Sequence, residues 1–486
     1  MAIDPGLRRL ALRTLLAAFP GESAPEWAAD LLVDGLAGHT LFGTNVAGPE
    51  QLARLTRGLR SARADVLIAI DEEGGDVTRL GHRTGSPYPG NAALGAAGDP
   101  ELTRRVYAAI GADLAATGIN LDLAPTVDVN TAHDNPIIGT RSFGADPSLV
   151  ARHTGAAVTG LQSSGVAACA KHFPGHGATV SDSHLELPTV DVPLSVLRSR
   201  DLPPFAAAVQ AGVRAVMSAH IRVPELTGDG PATFSRAALT GLLRDELGFR
   251  GAIVTDALEM RGAAASAGGI PRAAVAALAA GADLLCIGAV VDLALVEAIV
   301  AEIAAATVDG RLAIGRLEDA AERTAALAAW SRPAAPPRQD STPDVELGIE
   351  AARQGLRFEG SDDELRKPLV VRFVAGHSIA EGRVPWGLAP HLANVEEIEV
   401  VAAETTVESI TERAGDRPIV LVGRRIHNSP AARTLIGRLA AERPVGVVEM
   451  GWPSSWRPAG VRAFVVTHGA SLANSRAAAE ALGLSR

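Results

Sequence analysis

Residues 166–184 have the sequence VAACAKHFPGHGATVSDSH, in which a short apolar run is followed at once by a polar segment. The run VAACA is typical of a buried strand. Pro174, Gly175 and Gly177 disfavour a helix after it, so we expect the polar segment to be a loop. A loop that holds one Lys, three His and one Asp at the end of a strand is a candidate functional site.

Similar apolar runs lie on both sides of this strand, and Ala-rich helical stretches separate them. This alternation predicts parallel βαβ units. Polar residues follow several different strands, which favours a TIM-type (β/α)8 barrel, whereas an open doubly wound sheet, the alternative, concentrates them at one switch point. The seven runs are 38–46, 66–71, 119–127, 166–172, 214–221, 252–256 and 282–288.

A Pro-rich stretch, SRPAAPPRQDSTPD at 331–344, ends this pattern and is typical of an extended linker. We therefore predict a catalytic barrel domain over 1–330, a linker over 331–345 and a smaller α/β domain over 346–486. The length agrees, because one core seldom organises more than roughly 250–300 residues. The second domain is predicted from strand-like runs at 369–374, 398–403, 418–423, 444–450 and 463–468 and helical segments at 429–442 and 470–483.

The charge balance argues against two classes of partner. The chain has 45 Lys and Arg against 55 Asp and Glu, a net charge of -10, and no basic patch is evident. Such a surface repels phosphate backbones and anionic lipid, so we expect neither a nucleic-acid nor a membrane partner. The two cysteines, Cys169 and Cys286, lie in apolar runs and support neither a disulfide framework nor a thiolate metal cluster.

The N-terminal stretch MAIDPGLRRLALRTLLAAF has an Arg-flanked apolar run. Asp4 precedes this run and no clear small-residue cleavage site follows it, so we predict an amphipathic first helix and not a signal peptide. Asp283 interrupts the most apolar stretch, 273–291, so that no run of about 18 uncharged apolar residues occurs. We expect a cytoplasmic protein.

The histidines of the polar loop allow more than one interpretation. A solvated surface loop with a chance cluster is the simplest. A zinc site would use His172, His176 and His184, although their spacing matches no compact zinc motif and the loop has no Cys. In an extended loop, Asp182 and His184 project from the same side, where the carboxylate can orient the imidazole for proton transfer.

Carboxylates also follow two other predicted strands. Asp256 ends AIVTD, and Asp71 lies in IAIDEEGGDVTRL, where Gly74 and Gly75 allow a sharp turn. Strand-end carboxylates at the barrel rim are placed for catalysis, while the alternative for Asp256 is the N-cap of a helix. Two further polar residues, Arg141 and His220, are also candidates. The structural alternatives are a salt bridge for Arg141 and a hydrogen-bonded core histidine for His220.

Four motifs occur together in one order: DEEGG at 71–75, NPIIGTRSFG at 135–144, KHFPGHG at 171–177 with SDSH at 181–184, and IVTDALEM at 253–260. In these four motifs, the sequence resembles the bacterial, two-domain β-N-acetylglucosaminidase branch of glycoside hydrolase family 3. KHFPGHG with the following Asp-Ser-His distinguishes that branch from the β-glucosidases of the family. The resemblance implies a (β/α)8 barrel followed by a smaller α/β sandwich domain.

The resemblance also implies roles for single residues. Asp256 is the implied nucleophile, and Asp182 with His184 is the implied acid/base pair on a mobile loop. The implied substrate is a small saccharide with a terminal N-acetylglucosamine, and neither a cofactor nor a metal is expected. The residues expected to bind this substrate are Asp71, Arg141, Lys171, His172 and His220.

The implied reaction is a double displacement with retention at the anomeric carbon. An imidazole repels anions less than a carboxylate does, so phosphate is an alternative acceptor. The alternative function is therefore a β-N-acetylglucosaminide phosphorylase. The natural leaving group, from a chitobiose-like or a muropeptide-derived saccharide, stays open.

Overall fold

The computed structural model describes residues 3–331 and 342–485, which form two compact units. Unit 1 comprises Met1–Glu72, Thr103–Ile138 and Ala145–Pro343, and unit 2 comprises Glu73–Leu102, Gly139–Gly144 and Asp344–Arg486. Unit 2 therefore includes two stretches that lie within the predicted barrel domain. Most of the predicted linker, 332–341, lies outside the described residues.

Unit 1 contains an eight-stranded parallel sheet that closes into a barrel, as predicted. Neighbouring strands follow chain order, and β1 pairs with both β2 and β8. A parallel bridge between Val254 and Leu284 joins β7 to β8 and completes the ring. The strands are β1 (Leu15–Ala17), β2 (Gly38–Leu41), β3 (Leu67–Ile70), β4 (Leu121–Asp122), β5 (Ala167–Phe173), β6 (Ala215–Ser218), β7 (Ala252–Thr255) and β8 (Leu285–Cys286).

The first strand is absent from the sequence prediction, which extends a helix through it. The helix Pro5–Leu12, capped by the Asp4 carboxylate, ends before Leu15–Ala17. Three residues are too short to show a strand periodicity, and Leu and Ala favour a helix. Pairing on both sides within the sheet decides the conformation of this segment.

Helices follow the barrel strands and cover the sheet. Small and medium apolar side chains of the strands, such as Leu67, Cys169 and Val254, fill the interior. The helices up to residue 331 are α1 (Pro5–Leu12), α2 (Glu26–Asp34), α3 (Pro49–Ala62), α4 (Asn91–Ala97, in unit 2), α5 (Pro100–Ala116), α6 (Pro147–Gln162), α7 (Leu194–Arg200), α8 (Leu202–Gln210), α9 (Pro224–Thr227), α10 (Arg261–Ala267), α11 (Ile270–Ala280), α12 (Leu293–Val308) and α13 (Ile314–Trp330), with a π-helical segment at Ala237–Glu246.

The seam between β7 and β8 carries a buried carboxylate, Asp283. Its N–H donates to the carbonyl of Ile253 at 2.8 Å, and its Oδ2 accepts the N–H of Ile253 at 2.8 Å. Arg244 and Arg316 form ion pairs with the two carboxylate oxygens. Asp283 thus satisfies backbone groups of the seam and two guanidinium groups at once.

Unit 2 contains a six-stranded sheet in the order β11-β10-β12-β13-β14-β9, parallel except for β9. Five of the six strands lie at predicted runs, whereas the exposed antiparallel strand β9 is not predicted. The strands are β9 (Arg357–Gly360), β10 (Leu369–Phe373), β11 (Glu396–Val400), β12 (Ile419–Gly423), β13 (Val445–Glu449) and β14 (Ala463–Val466); the helices are α14 (Val345–Gly355), α15 (Val407–Ala414), α16 (Pro430–Glu442) and α17 (Leu472–Ala481).

Apolar clusters on both faces of this sheet make it an α/β sandwich, as the resemblance implies. One face packs Leu421 and Val447 against α15 and α16, and the other packs Val420 and Val448 against α17. Among the described residues, no single helix has both the length and the apolar character needed to cross a membrane; α10 and α11 meet that test only as a pair bent by 92°.

The stretch Glu73–Leu102 is held in unit 2 by the carboxylate of Asp76. This carboxylate accepts the Thr140 hydroxyl at 2.6 Å and the N–H of Ala470 at 2.8 Å. The guanidinium of Arg424 lies 3.2 Å from it and 3.1 Å from Glu381. One carboxylate therefore connects both N-terminal stretches of unit 2 to its C-terminal part.

Replacement of Asp283 by Asn should destabilise the barrel. The neutral amide leaves the buried Arg244 without its carboxylate and leaves Arg316 with Asp319 alone, and breaking a buried ion pair costs about 3–5 kcal/mol. We expect a clear drop in the midpoint of urea or thermal unfolding, measured by circular dichroism. Asp309→Asn, which removes an exposed partner of Arg311, is the matched control and should leave the midpoint unchanged. An equal midpoint for both variants would contradict the assigned role of the seam.

Candidate active site

Most of the predicted site residues lie at the carboxyl ends of barrel strands in unit 1. Asp71 directly follows β3, Lys171 and His172 belong to β5, His220 lies just after β6, and Asp256 directly follows β7. Parallel strands of a closed barrel present their carboxyl ends at one rim. The fold therefore brings these residues together, although they are far apart in sequence.

Lys171 and Asp71 form an ion pair at this rim. The Nζ atom of Lys171 donates to Oδ1 of Asp71 at 2.7 Å, with exposed side-chain fractions of 2% and 19%. A buried ammonium needs such a partner, because the loss of hydration is otherwise uncompensated. The carboxylate is the more accessible member of the pair.

A buried carboxylate that the sequence prediction omits, Asp128, organises the start of the polar loop. Its Oδ2 lies 2.7 Å from Nδ1 of His172, and its Oδ1 accepts the N–H groups of His176 at 2.6 Å and of His172 at 3.3 Å. Burial raises the pKa of Asp128, but the two histidines and these N–H donors outweigh it and hold the pKa below its usual value. A signal was present in the sequence, because Asp128 directly follows the run 119–127.

The Asp182/His184 pair forms as predicted. Nδ1 of His184 lies 2.7 Å from Oδ1 of Asp182, which also accepts the N–H of His184 at 2.8 Å. Both side chains are partly exposed, with 22% for His184 and 15% for Asp182. Within the described ranges, Nε2 of His184 has no hydrogen-bond partner. The carboxylate thus fixes one ring nitrogen and leaves the other for a bound molecule.

Asp256 is a partly exposed carboxylate that does not cap a helix. Its Oδ1 accepts the N–H of Ala257 at 2.8 Å, and its own N–H donates to the carbonyl of Ser218 at 3.1 Å. The next helix begins only at Arg261, with Met260 at its N-cap position. The N-cap alternative is therefore wrong for this residue.

The surroundings of Asp256 favour its ionised form. Burial raises the pKa of Asp256, as expected for a carboxylate in a poorly hydrated site. The imidazoles of His172, His220 and His184, with the N–H of Ala257, outweigh burial and lower the pKa below its usual value. Asp256 is accordingly a carboxylate at neutral pH, and His184 is among the groups that lie close enough to act on it.

Both ring nitrogens of the buried His220 are engaged by the protein. Nε2 lies 3.0 Å from the carbonyl of Ala257, which can only accept, so Nε2 carries the proton. Burial lowers the pKa of His220 in spite of the opposing effect of Asp256, and Nδ1 lies 2.8 Å from the hydroxyl oxygen of Thr233. Both ring nitrogens of His220 are therefore occupied, and the contact with the carbonyl of Ala257 holds the backbone that follows Asp256. The predicted contact of His220 with a sugar stays a prediction.

Arg141 lies in unit 2, where it forms a bidentate ion pair with Glu73. Its Nε donates to Oε2 at 2.9 Å and its Nη2 to Oε1 at 2.7 Å, and both side chains are buried. Such a fork holds the guanidinium plane in one orientation. The predicted contact of Arg141 with a substrate stays a prediction.

The contacts of the loop histidines bear on the zinc alternative. Nδ1 of His172 is bound to Asp128, and both ring nitrogens of His176 lie at hydroxyl groups of Thr179 and Ser183. Over residues 3–331 and 342–485, no group of three or more His, Cys, Asp or Glu side chains is arranged to hold a metal ion. The loop histidines instead serve the hydrogen-bond network of the site.

A closed barrel with an ionised carboxylate and an oriented imidazole at its rim is equipped for glycoside hydrolysis. Comparisons with known proteins support the same class of enzyme. The chain is a glycoside hydrolase. It belongs to glycosyl hydrolase family 3, whose N-terminal domain matches residues 12–327.

Similar proteins include two curated enzymes and one solved structure. A β-hexosaminidase of Stenotrophomonas maltophilia is 40% identical over 272 residues, which cover 54% of this chain and 79% of that protein. β-Hexosaminidase A of Pseudoalteromonas piscicida is 40% identical over 249 residues, 47% of this chain and only 42% of that longer protein. A family 3 β-N-acetylglucosaminidase from Paenibacillus sp. str. FPU-7 is 32% identical, with a TM-score of 0.88 and coverage of 100% of this chain and 98% of that one.

Replacement of Asp128 by Asn should impair turnover while the fold survives. The variant loses the charge that holds His172, and a hydrogen bond to a charged group is typically worth about 1.5–3 kcal/mol, a factor of roughly 10 to 100 in rate. We expect such a loss in kcat/KM on an aryl glycoside substrate. Asp134→Asn is the matched control and should keep wild-type activity, because Asp134 is exposed and lies in the same loop after β4 as Asp128. Wild-type activity of Asp128→Asn would show that this carboxylate does not organise the site.

Proposed function

We propose that this chain is an exo-acting, retaining β-N-acetylglucosaminidase, which removes terminal β-linked N-acetylglucosamine from small saccharides through a covalent glycosyl-enzyme intermediate. The observation that carries the proposal is that a carboxylate and an oriented imidazole lie at the same rim. Asp256 is an ionised carboxylate with a lowered pKa, and His184 is an imidazole oriented by Asp182. A nucleophile and a proton donor are what a double displacement requires.

In the first step, a carboxylate oxygen of Asp256 attacks the anomeric carbon and the glycosidic C–O bond breaks. His184, in its protonated form, gives the proton on Nε2 to the departing oxygen and becomes a neutral imidazole. Asp182 stabilises the imidazolium before this transfer through its contact with Nδ1. The products are the alcohol and the sugar ester of Asp256.

In the second step, water attacks the same carbon and the ester bond to Asp256 breaks. Nε2 of the neutral His184 accepts the proton of this water, which restores both residues to their starting forms. Two inversions at the anomeric carbon give net retention. The lowered pKa of Asp256 supports this assignment, because a weakly basic carboxylate is also a good leaving group.

The substrate class rests on the similar proteins and on the rim residues. Two relatives are named β-hexosaminidases, and the similar solved structure is a β-N-acetylglucosaminidase. Asp71, Lys171 and His172 present a carboxylate, an ammonium and an imidazole at the rim, a set suited to sugar hydroxyls. A cytoplasmic location is part of the proposal, and chitobiose-like or muropeptide-derived saccharides are the proposed substrates.

A phosphorylase is the second candidate, and the use of an imidazole favours it. Once His184 has given up its proton, it carries no negative charge, so a phosphate anion approaching the ester of Asp256 meets less repulsion than a carboxylate would impose. Phosphate would then take the place of water and yield N-acetylglucosamine 1-phosphate. Both candidates share the first step.

Specificity for the acetamido group tests the proposed substrate class. The kcat/KM for a p-nitrophenyl β-N-acetylglucosaminide should exceed that for the corresponding β-glucoside by about 100-fold or more, because a pocket that hydrogen-bonds a substrate group rejects analogues without it. Steady-state release of p-nitrophenol measures both. Comparable values would remove the basis for the N-acetylglucosamine assignment. Analysis of the sugar product with and without inorganic phosphate distinguishes hydrolysis from phosphorolysis in the same assay.

The leaving group separates the roles of His184 and Asp256. His184→Ala should release dinitrophenol from an activated glycoside at a nearly normal rate in the first turnover, yet lose about 100- to 10,000-fold on chitobiose, whose alkoxide needs protonation. Asp182→Ala should show the same pattern in milder form. Asp256→Ala should lose about 1,000-fold or more on both substrates, because the nucleophile is absent.

Azide provides the control for the second step. This small anion needs no general base, so it should accelerate turnover of His184→Ala on the activated substrate and yield the β-glycosyl azide. Equal losses of His184→Ala on both leaving groups, with no effect of azide, would make His184 a binding or structural residue.

A further inference from the structure

We propose that the hydroxyl of Ser183 and Nε2 of His176 form a latch that holds the Asp182/His184 pair in its working position. Both are then positioning residues, and this inference rests on the proton-transfer role proposed for His184. The two atoms lie 3.2 Å apart. Ser183 lies between Asp182 and His184 in sequence, so a hydrogen bond that fixes its side chain also restrains the backbone of both neighbours.

Ser183 is the one buried residue in the segment 180–187, all of which the structure describes. It is 2% exposed, whereas Val180 and Leu185 are 75% and 59% exposed. The side chain of Ser183 therefore points into the protein. Its hydroxyl faces the imidazole of His176 inside the loop, so its effect on the reaction must pass through the backbone.

His176 is a firmly held anchor for this contact. Its N–H donates to Oδ1 of Asp128 at 2.6 Å, and its carbonyl accepts from Nδ2 of Asn135 at 3.0 Å. Its Nδ1 lies 2.7 Å from the hydroxyl of Thr179. The residue is 1% exposed. The ring therefore has little freedom, and Nε2 presents a defined position to Ser183.

The available protons are consistent with one arrangement of this network. The hydroxyl of Thr179 donates to the carbonyl of His176 at 3.0 Å, so Nδ1 of His176 donates to that hydroxyl. Burial lowers the pKa of His176 to about 4, and the ring is neutral above that pH. Nε2 is therefore an acceptor, and the hydroxyl of Ser183 donates to it. Each donor then has one acceptor.

The backbone of Ser183 supplies a second attachment, on the side of Asp256. Its carbonyl accepts the N–H of Gly262 at 3.3 Å. A Cβ atom on Gly262 would lie 3.2 Å from this carbonyl oxygen and 3.1 Å from that of Glu186, so the loop approaches α10 closely. One residue is thus tied to the base of its own loop and to the helix that follows Asp256.

Ser183→Ala tests the latch, because it removes the hydroxyl and keeps the backbone attachment. We expect kcat/KM on chitobiose to fall about 5- to 10-fold, the usual effect of one lost hydrogen bond, since His184 is less often in place to protonate the leaving oxygen. On a dinitrophenyl glycoside, which needs no proton, the first-turnover rate should stay within about 2-fold. Ser181→Ala is the matched control: the same change in the same loop, at a partly exposed serine without a hydrogen bond to the described residues.

A second variant reports on the other half of the latch. In His176→Asn, the amide reaches the position of Nδ1 but not that of Nε2, so the contact with Thr179 is kept and that with Ser183 is lost. It should show the same dependence on the leaving group as Ser183→Ala. The double variant should be no worse than the more impaired single variant, because residues that act through one contact are not additive.

The outcomes distinguish the latch from the function on which it rests. If His184→Ala shows the leaving-group pattern and Ser183→Ala behaves like Ser181→Ala, the latch is wrong and the proposed function stands. Multiplied losses in the double variant, or equal losses on both substrates with a normal unfolding midpoint, would also overturn it. If His184→Ala itself shows no leaving-group pattern, the proposed function fails first.

Discussion

The carboxylate of Asp283 lies where the last barrel strand meets β7, and it satisfies both the backbone of Ile253 and two guanidinium groups. A bridge between Val254 and Leu284 joins these strands, and the side chain of Asp283 adds a hydrogen bond to those of the backbone. If the ring were open, the carboxyl ends of β3 and β7 would lie on a sheet with two free edges. Closure is what places Asp71 and Asp256 on one rim.

Much of the barrel could be predicted, because seven of its strands lie at strand-like runs of the sequence that helical stretches separate. The eighth, Leu15–Ala17, could not be found in the same way. Its local composition favours a helix, and its strand conformation comes from hydrogen bonds to β2 and β8. The strand β9 was hidden for another reason: all four of its residues are exposed, so it has no apolar pattern.

The site shows a similar division. The residues with proposed catalytic roles, Asp256 and His184, carry signals in the sequence because they follow a strand or belong to a motif. The residues that hold them in place carry weaker signals. Asp128 follows a strand-like run and Ser183 lies within a motif, but the positioning role of each can be inferred only from the atoms that it contacts. His220 is a different case, because its position after β6 suggests a ligand contact, while both of its ring nitrogens lie at protein groups.

Unit 2 combines segments that are far apart in the sequence, and this affects the order in which it can fold during synthesis. The carboxylate of Asp76 accepts the N–H of Ala470, a residue 394 positions later. At a translation rate of about 5–20 residues per second, roughly 20 to 80 s separate the synthesis of the two. All eight barrel strands are made before Ala470, whereas the stretch Glu73–Leu102 still lacks this partner at that point. On a growing chain, this early segment therefore stays unfinished until the region around Ala470 has been made.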